Sequence, residues 1–329
     1  MKLYGLEEHF VTADVIEAWK RRDPQLAEPM MKWAVASEIT PALLDLDSGR
    51  VAAMDDAGID VSVLSLTTPG LQNLDKAEAV ALQAPTNDAI AAAVRRHPDR
   101  FQGFAALATP APSAAAAELR RAVTELGLNG MLVNANSGGR ALDAPEFWEI
   151  YEAAEDLRVP VYLHPSVPFP AVTKAYYRGF SGSVDSMLAT GAFGWHYDAG
   201  LTALRMIIGG VFDRFPGLQL VLGHWGEVVL FYLDRIAAMD KLTDLRRPIA
   251  EYFRSNIFIT PGGISSHKYL RWSLETVGIE RIMYASDYPF NREHTGSARH
   301  FLETAPIGGA DRKRIAYRNW EKLVAGIRR

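Results

Sequence analysis

Eight short apolar runs, each followed by a helix-like stretch, predict one (β/α)8 barrel, a TIM barrel with a lid formed by its long βα connections. The run–helix alternation repeats eight times, 329 residues suffice for one large core, and no polar linker separates two halves. A single domain over residues 1–329 is therefore expected. A doubly wound α/β sheet is the competing architecture, and the count of eight favours the barrel.

The first run, residues 2–6, leads into Glu7-Glu8-His9. Side chains alternate along a strand, so Glu7 and His9 share one face and Glu8 takes the other. Thr12 and Asp14 then have the spacing of an N-cap and first-turn acid for a helix over 13–19. Residues 22–47 are less regular, and their Pro24, Pro29, Met30, Met31, Trp33 and Pro41 suit an excursion over the barrel mouth, a subunit contact or a packed insertion.

The second run, 61–66, ends in Thr67-Thr68-Pro69-Gly70. The alanine-rich helix after it closes at Arg95-Arg96-His97, and Pro85 predicts a kink or break within it. Residues 101–107 form the third strand, and the helix opened by Pro112 and Ser113 closes at Gly127. Residues 130–134 are the fourth strand, after which Asp143 and Glu146 have the spacing of a capping box for the helix through Leu157. The fifth strand, 159–164, and the sixth, 218–224, both end on histidine. The seventh is 257–260, and the eighth, 282–287, ends on Asp287. Segment 166–200, rich in Pro, Phe, Tyr and Gly, is a long βα connection and hence the expected lid.

Composition narrows the chemistry. A net charge of −4 offers no basic field for nucleic acid or an anionic membrane surface, which leaves a small molecule as the expected partner. The chain contains no cysteine, so disulfide scaffolds, thiolate zinc sites and cysteine nucleophiles are excluded, and any metal must be held by His and carboxylate. No apolar run approaches the roughly 20 residues of a membrane span, and Glu7, Glu8 and His9 interrupt any signal-peptide core, so a cytoplasmic protein is expected.

In a barrel the strand ends converge on one face, where catalytic groups of this fold lie. Glu7 and His9, His164, His224 and Asp287 all fall at such ends. One histidine at a strand end commonly bonds a backbone carbonyl, and an E-x-H triplet arises by chance. Three of only eight histidines placed this way, joined by an aspartate, point instead to a site. Glu7 and His9 side by side can clamp a divalent cation.

Leu-Glu-Glu-His-Phe at 6–10, Tyr-Leu-His-Pro at 162–165, Gly-His-Trp-Gly-Glu at 223–227 and Ser-Asp-Tyr-Pro-Phe at 286–290 resemble the amidohydrolase superfamily. More narrowly, they are similar to its metal-dependent hydroxybenzoate decarboxylases, such as the gamma-resorcylate and 2,3-dihydroxybenzoate enzymes. The resemblance runs over nearly the whole chain. It implies that Glu7, His9, His164 and Asp287 ligate one divalent metal, with His224 and Glu227 as an acid/base pair. The binuclear branch places a carbamylated lysine at the end of strand four, where Met131-Leu132-Val133-Asn134 offers none. Mixed N and O donors suit Zn or Mn, with Mg also compatible. The family's substrate arginine matches Arg235, reaching a substrate carboxylate within the chain or across a subunit boundary, unless it makes a surface ion pair. Phe290 would wall the aromatic ring, unless it is a core residue.

The implied reaction is non-oxidative decarboxylation of an ortho-hydroxybenzoate-type acid, with the ring carbon protonated before carbon dioxide leaves. Asp287 and His224 are the two candidate donors. The alternative is a metal-dependent hydrolase of an ester, lactone or amide, since the same ligands activate water. A non-catalytic ligand-binding barrel is the third reading, disfavoured by the number of acid/base groups at one mouth. A homodimer or homotetramer is expected, as is usual in such barrels.

Overall fold

Apolar runs rich in Val, Ile and Leu can be buried on both faces only in a parallel sheet covered by helices. That is how they fold. The computed structural model describes residues 1–22, 29–290 and 298–329, without the side chains at positions 29, 30, 32 and 33. Strands β1 (Tyr4–Phe10), β2 (Val61–Leu66), β3 (Phe101–Gly103, continued by Ala105–Ala106), β4 (Met131–Asn134), β5 (Val161–His164), β6 (Leu220–Leu222) and β7 (Ile257–Ile259) pair in parallel in that order.

The eighth run forms no continuous strand, in contrast to the expectation. It is held by single bridges, Ile282 to Ile259 and Tyr288 to Glu8. Met283 N donates to the Ile259 carbonyl at 2.9 Å and Leu6 N to the Tyr284 carbonyl at 3.1 Å, which closes the ring between β7 and β1. Asp287 then adopts φ 59°, a left-handed conformation that turns the chain out of the ladder.

The inner lining consists of Tyr4, Leu6, Val61, Val63, Phe104, Leu132, Tyr162, Val221, Phe258, Met283 and Ala285. Trp320 plugs it from the C-terminal helix Asn319–Val324, its Nε1 donating to Gln102 Oε1 at 2.8 Å. Strict alternation from Tyr4 and Leu6 would carry Glu8 to this inner face. A register shift prevents it: Gly5 pairs with Ser62 but Glu8 with Leu64, so β1 spends one extra residue there. This bulge sets Glu7 and His9 toward the barrel mouth and Glu8 outward.

Thr12 caps the helix Ala13–Lys20 as expected, accepting from Val15 N at 3.3 Å. Two other local expectations are corrected. The helix Lys76–Arg96 continues through Pro85 without a break, and side chains on either side of the proline are tied to the barrel. Gln83 Oε1 accepts from Ala108 N at 3.0 Å and Asn87 Oδ1 from Ala106 N at 2.8 Å. The capping box does not form: Asp143 pairs with Arg205 at 2.8 Å, Glu146 with Arg140 at 2.7 Å, and a 3-10 turn over Pro145–Phe147 precedes the helix Trp148–Leu157.

Of the irregular 22–47 stretch, Pro24 and the side chains of Pro29, Met30 and Trp33 lie outside the described residues. Met31 and Leu43 are buried in the main core, which fits a packed insertion there. Segment 166–200 is largely helical, with helices at Pro170–Tyr176 and Gly182–Ala189 and the start of Gly194–Ile208. Among the described residues no helix is long and apolar enough to cross a membrane.

Candidate metal centre and active site

The barrel brings Glu7, His9, His164 and Asp287 together, with donor atoms within 4.8 Å of one another. Glu7 and His9 come from β1 just after its bulge, His164 ends β5, and Asp287 sits at the turn that ends the eighth segment. His164 Nε2 lies 3.3 Å from Glu7 Oε1, His9 Nε2 lies 3.3 Å from Asp287 Oδ1, and His9 Nε2 lies 3.9 Å from Glu7 Oε1. Two atoms bound at ~2.1 Å to one ion at the tetrahedral angle stand roughly 3.4 Å apart. The spacing is that of ligands around a shared cation.

Each of three donors is aimed by a partner behind it. Tyr162 OH donates to Glu7 Oε2 at 2.5 Å and Ser65 Oγ meets His9 Nδ1 at 3.2 Å. His164 Nδ1 lies 2.7 Å from the Pro165 carbonyl, which only accepts, so the proton sits on Nδ1 and the Nε2 lone pair is free. Glu7 Oε1 and His9 Nε2 are fully buried and have no hydrogen-bond partner. Two orphaned buried donor-type atoms at ion-ligand spacing fit a divalent cation, which would satisfy both.

Burial raises the Glu7 carboxyl above its ordinary range, although the nearby His224 charge pulls the other way. Burial also holds His164 well below the usual imidazole value, helped by His9 and His224. A dication reverses the first penalty and accepts the neutral imidazole that the second favours.

His224 and Glu227 form a second cluster beside the first, with the two histidine rings His164 and His224 6.4 Å apart. Glu227 Oε1 lies 2.7 Å from His224 Nδ1, and Glu227 Oε2 lies 2.8 Å from Nδ1 of His196. These are hydrogen-bond distances, too short for two ligands of one ion. Burial opposes charge on both partners, but their mutual attraction prevails. His224 is held up at about 10 and Glu227 down at about 2. An ionised pair at neutral pH follows.

The turn presenting this pair is strained, since His224, Trp225, Gly226, Glu227 and Val228 all have positive φ. Trp225 pins it, its backbone N donating to the Thr260 carbonyl at 2.8 Å and its Nε1 to the Ile264 carbonyl at 2.7 Å. At Gly223 a Cβ would stand 3.0 Å from Glu7 Oε2 and 3.3 Å from Glu227 Oε1, so a side chain there would crowd both carboxylates. The two clusters meet across that gap.

Phe290 is also at the mouth, its ring 5.7 Å from that of His9. Arg235 is not gathered into the site: it is exposed on the helix Val229–Ile236. Sequence reasoning missed His196 and Trp195, whose ring lies 6.1 Å from His164. Both sit inside the 166–200 connection without a strand end to mark them.

The sequence pattern of the family described as Amidohydrolase matches residues 26–325. The chain belongs to that family. It is 34% identical over 332 residues to the gamma-resorcylate decarboxylase of Polaromonas sp. strain JS666, covering 97% of both chains. The crystal structure of 5-carboxyvanillate decarboxylase from Sphingomonas paucimobilis superposes with a TM-score of 0.91 at 32% identity, over 99% of both chains. A dihydroxybenzoic acid decarboxylase from Polaromonas sp. JS666, solved with bound manganese and the inhibitor 2-nitroresorcinol, gives 0.85 at 31% identity, over 98% of this chain and 97% of that one.

Glu7→Gln is expected to lose most of its metal. Glu8→Gln should keep it, because Glu8 faces away and accepts from Ser286 N at 3.0 Å and Ser286 Oγ at 2.6 Å. Elemental analysis after dialysis checks both variants, and equal metal loss would refute the assigned strand faces.

Proposed function

We propose that the protein is a metal-dependent, non-oxidative decarboxylase of ortho-hydroxybenzoate-type acids. The observation that carries this reading is the division of the mouth into an ion-spaced cluster, Glu7, His9, His164 and Asp287, and a separate ionised His224–Glu227 pair. The full-length similarity to gamma-resorcylate decarboxylase supports it. Glu7, His9, His164 and Asp287 would hold one divalent ion, with manganese or zinc suited to the mixed donors. When bound, that ion supplies Lewis-acid charge that holds an acid with a neighbouring hydroxyl and offsets its negative charge.

The chain's own residues then supply position and proton. Phe290, beside His9, walls one face of an aromatic ring. Direct loss of carbon dioxide would leave an aryl anion, so the carboxyl-bearing carbon is protonated first. The C–C bond then breaks, its electron pair returns to the ring, and the carboxylate leaves as carbon dioxide. His224 carries a proton at neutral pH because Glu227 holds it there, and its Nε2 is the nitrogen left over from that contact. Asp287 is the second candidate donor, and the variants below separate the two.

The lid and the assembly extend this reading. Segment 166–200 brings the Trp195 ring within 6.1 Å of that of His164, which supports its serving as a lid over the mouth. The helix carrying Arg235 also exposes Phe231 at 61% and Tyr232 at 56%, a surface suited to a second copy of the chain in a homodimer or homotetramer. Arg235 would there serve a substrate carboxylate.

Turnover of a salicylate-type acid in heavy water should place one deuterium at the carbon that lost carbon dioxide. Asp287→Asn with excess metal should restore occupancy without product if Asp287 donates, whereas His224→Asn should stop the reaction with metal retained if His224 does. Ester or lactone turnover without carbon dioxide release would instead favour a hydrolase. Arg235→Ala is expected to raise KM more than it lowers kcat, since a ground-state carboxylate partner appears mainly in binding. A collapsed kcat at unchanged KM would place Arg235 in the chemistry.

A further inference from the structure

His196 stands third in the helix Gly194–Ile208, outside every strand end. Its Nδ1 lies 2.8 Å from Glu227 Oε2, while His224 Nδ1 lies 2.7 Å from Glu227 Oε1. Both oxygens of one fully buried carboxylate are thus taken, each by a different imidazole. On its far side His196 Nε2 lies 3.0 Å from the Gly191 carbonyl. A carbonyl and a carboxylate both only accept, so both ring nitrogens donate, and the contact to Gly191 fixes the ring within its own segment. The two imidazoles meet with centroids 4.5 Å apart.

The helix backbone is equally close. A Cβ at Gly200 would stand 2.2 Å from the Glu227 carbonyl oxygen, so only glycine lets the helix lie directly on that residue. Trp195, the neighbour of His196, meets His164 at the same helix end. One helical turn therefore touches both clusters of the site.

The terminal torsion of a glutamate is broad, and a carboxylate held by one partner can swing. A second hydrogen bond to Oε2 removes that freedom and leaves Oε1 on His224 Nδ1. We infer that His196 is a positioning residue for the acid/base pair: by holding Glu227 Oε2 it fixes the His224 ring, which makes the lid helix a working part of the site. The geometry exists without substrate, so only the kinetic expression of this role rests on the decarboxylase reading.

The test compares His196→Asn with His196→Leu in the metal-loaded protein. Asparagine keeps an N–H donor near the place of Nδ1, and leucine has none. For His196→Leu, kcat should fall roughly 10- to 100-fold, the loss usual when an orienting partner is removed. KM should stay within about twofold, because the ground state is not touched. His196→Asn should recover most of kcat. Independently of turnover, the hydrogen-bonded ring N–H resonance of His224 should persist in wild type and His196→Asn, and shift or exchange faster in His196→Leu. An unchanged His224 resonance in His196→Leu, or equal losses in the two variants, would overturn the inference. The expected resonance pattern in a protein that releases no carbon dioxide from hydroxybenzoates would leave the positioning role standing and sink the decarboxylase reading.

Discussion

A glutamate and a histidine with no exposed surface, each with a donor-type atom lacking a partner, are expensive to keep at the mouth of an apolar barrel. Their need for a shared partner, which a cation would supply, is the constraint on which the rest of the mouth depends. The β1 bulge turns the two side chains inward, and Tyr162 and Ser65 aim them. The eighth segment gives up its ladder at Asp287 so that a second carboxylate can reach His9. Beneath, Glu8 holds Ser286 through two hydrogen bonds, which ties the outward face of β1 to the residue before Asp287.

Distance separates the two clusters by role. Donor atoms 3.3 to 3.9 Å apart leave room for an ion between them, whereas 2.7 to 2.8 Å between imidazole and carboxylate is already a hydrogen bond. The first cluster can fix a substrate and offset its charge. The second is already joined by hydrogen bonds, with Glu227 held down despite full burial and His224 raised, against the cost of burial, by attraction to Glu227 and also to Glu7 and Asp287.

The parts legible in the sequence were those marked by strand ends. Period-two runs that stop on Glu7, His9, His164, His224 or Asp287 announce themselves because a barrel gathers such ends on one face. The bulge was not read from the sequence, since the register between β1 and β2 depends on pairing over more than fifty positions, although Gly5 at its edge is the kind of residue that marks one. His196 was hidden for another reason: it lies in the helix Gly194–Ile208, whose placement against Glu227 is tertiary. Local signals failed where tertiary partners outbid them, as when Asp143 went to Arg205 instead of capping a helix, and a helix continued without a break through Pro85, with Gln83 and Asn87 tied to the barrel. Arg235 shows the limit of a single chain, because its exposed helix face does not itself reach the mouth.

The central claim is that four buried side chains are built around one cation. Calorimetric titration of Mn²⁺ into protein stripped by chelation tests it most directly. The account predicts saturation at one equivalent, with an unfolding midpoint that rises to a plateau at the same ratio. Two equivalents bound with comparable affinity, or binding that leaves the midpoint unmoved, would contradict it.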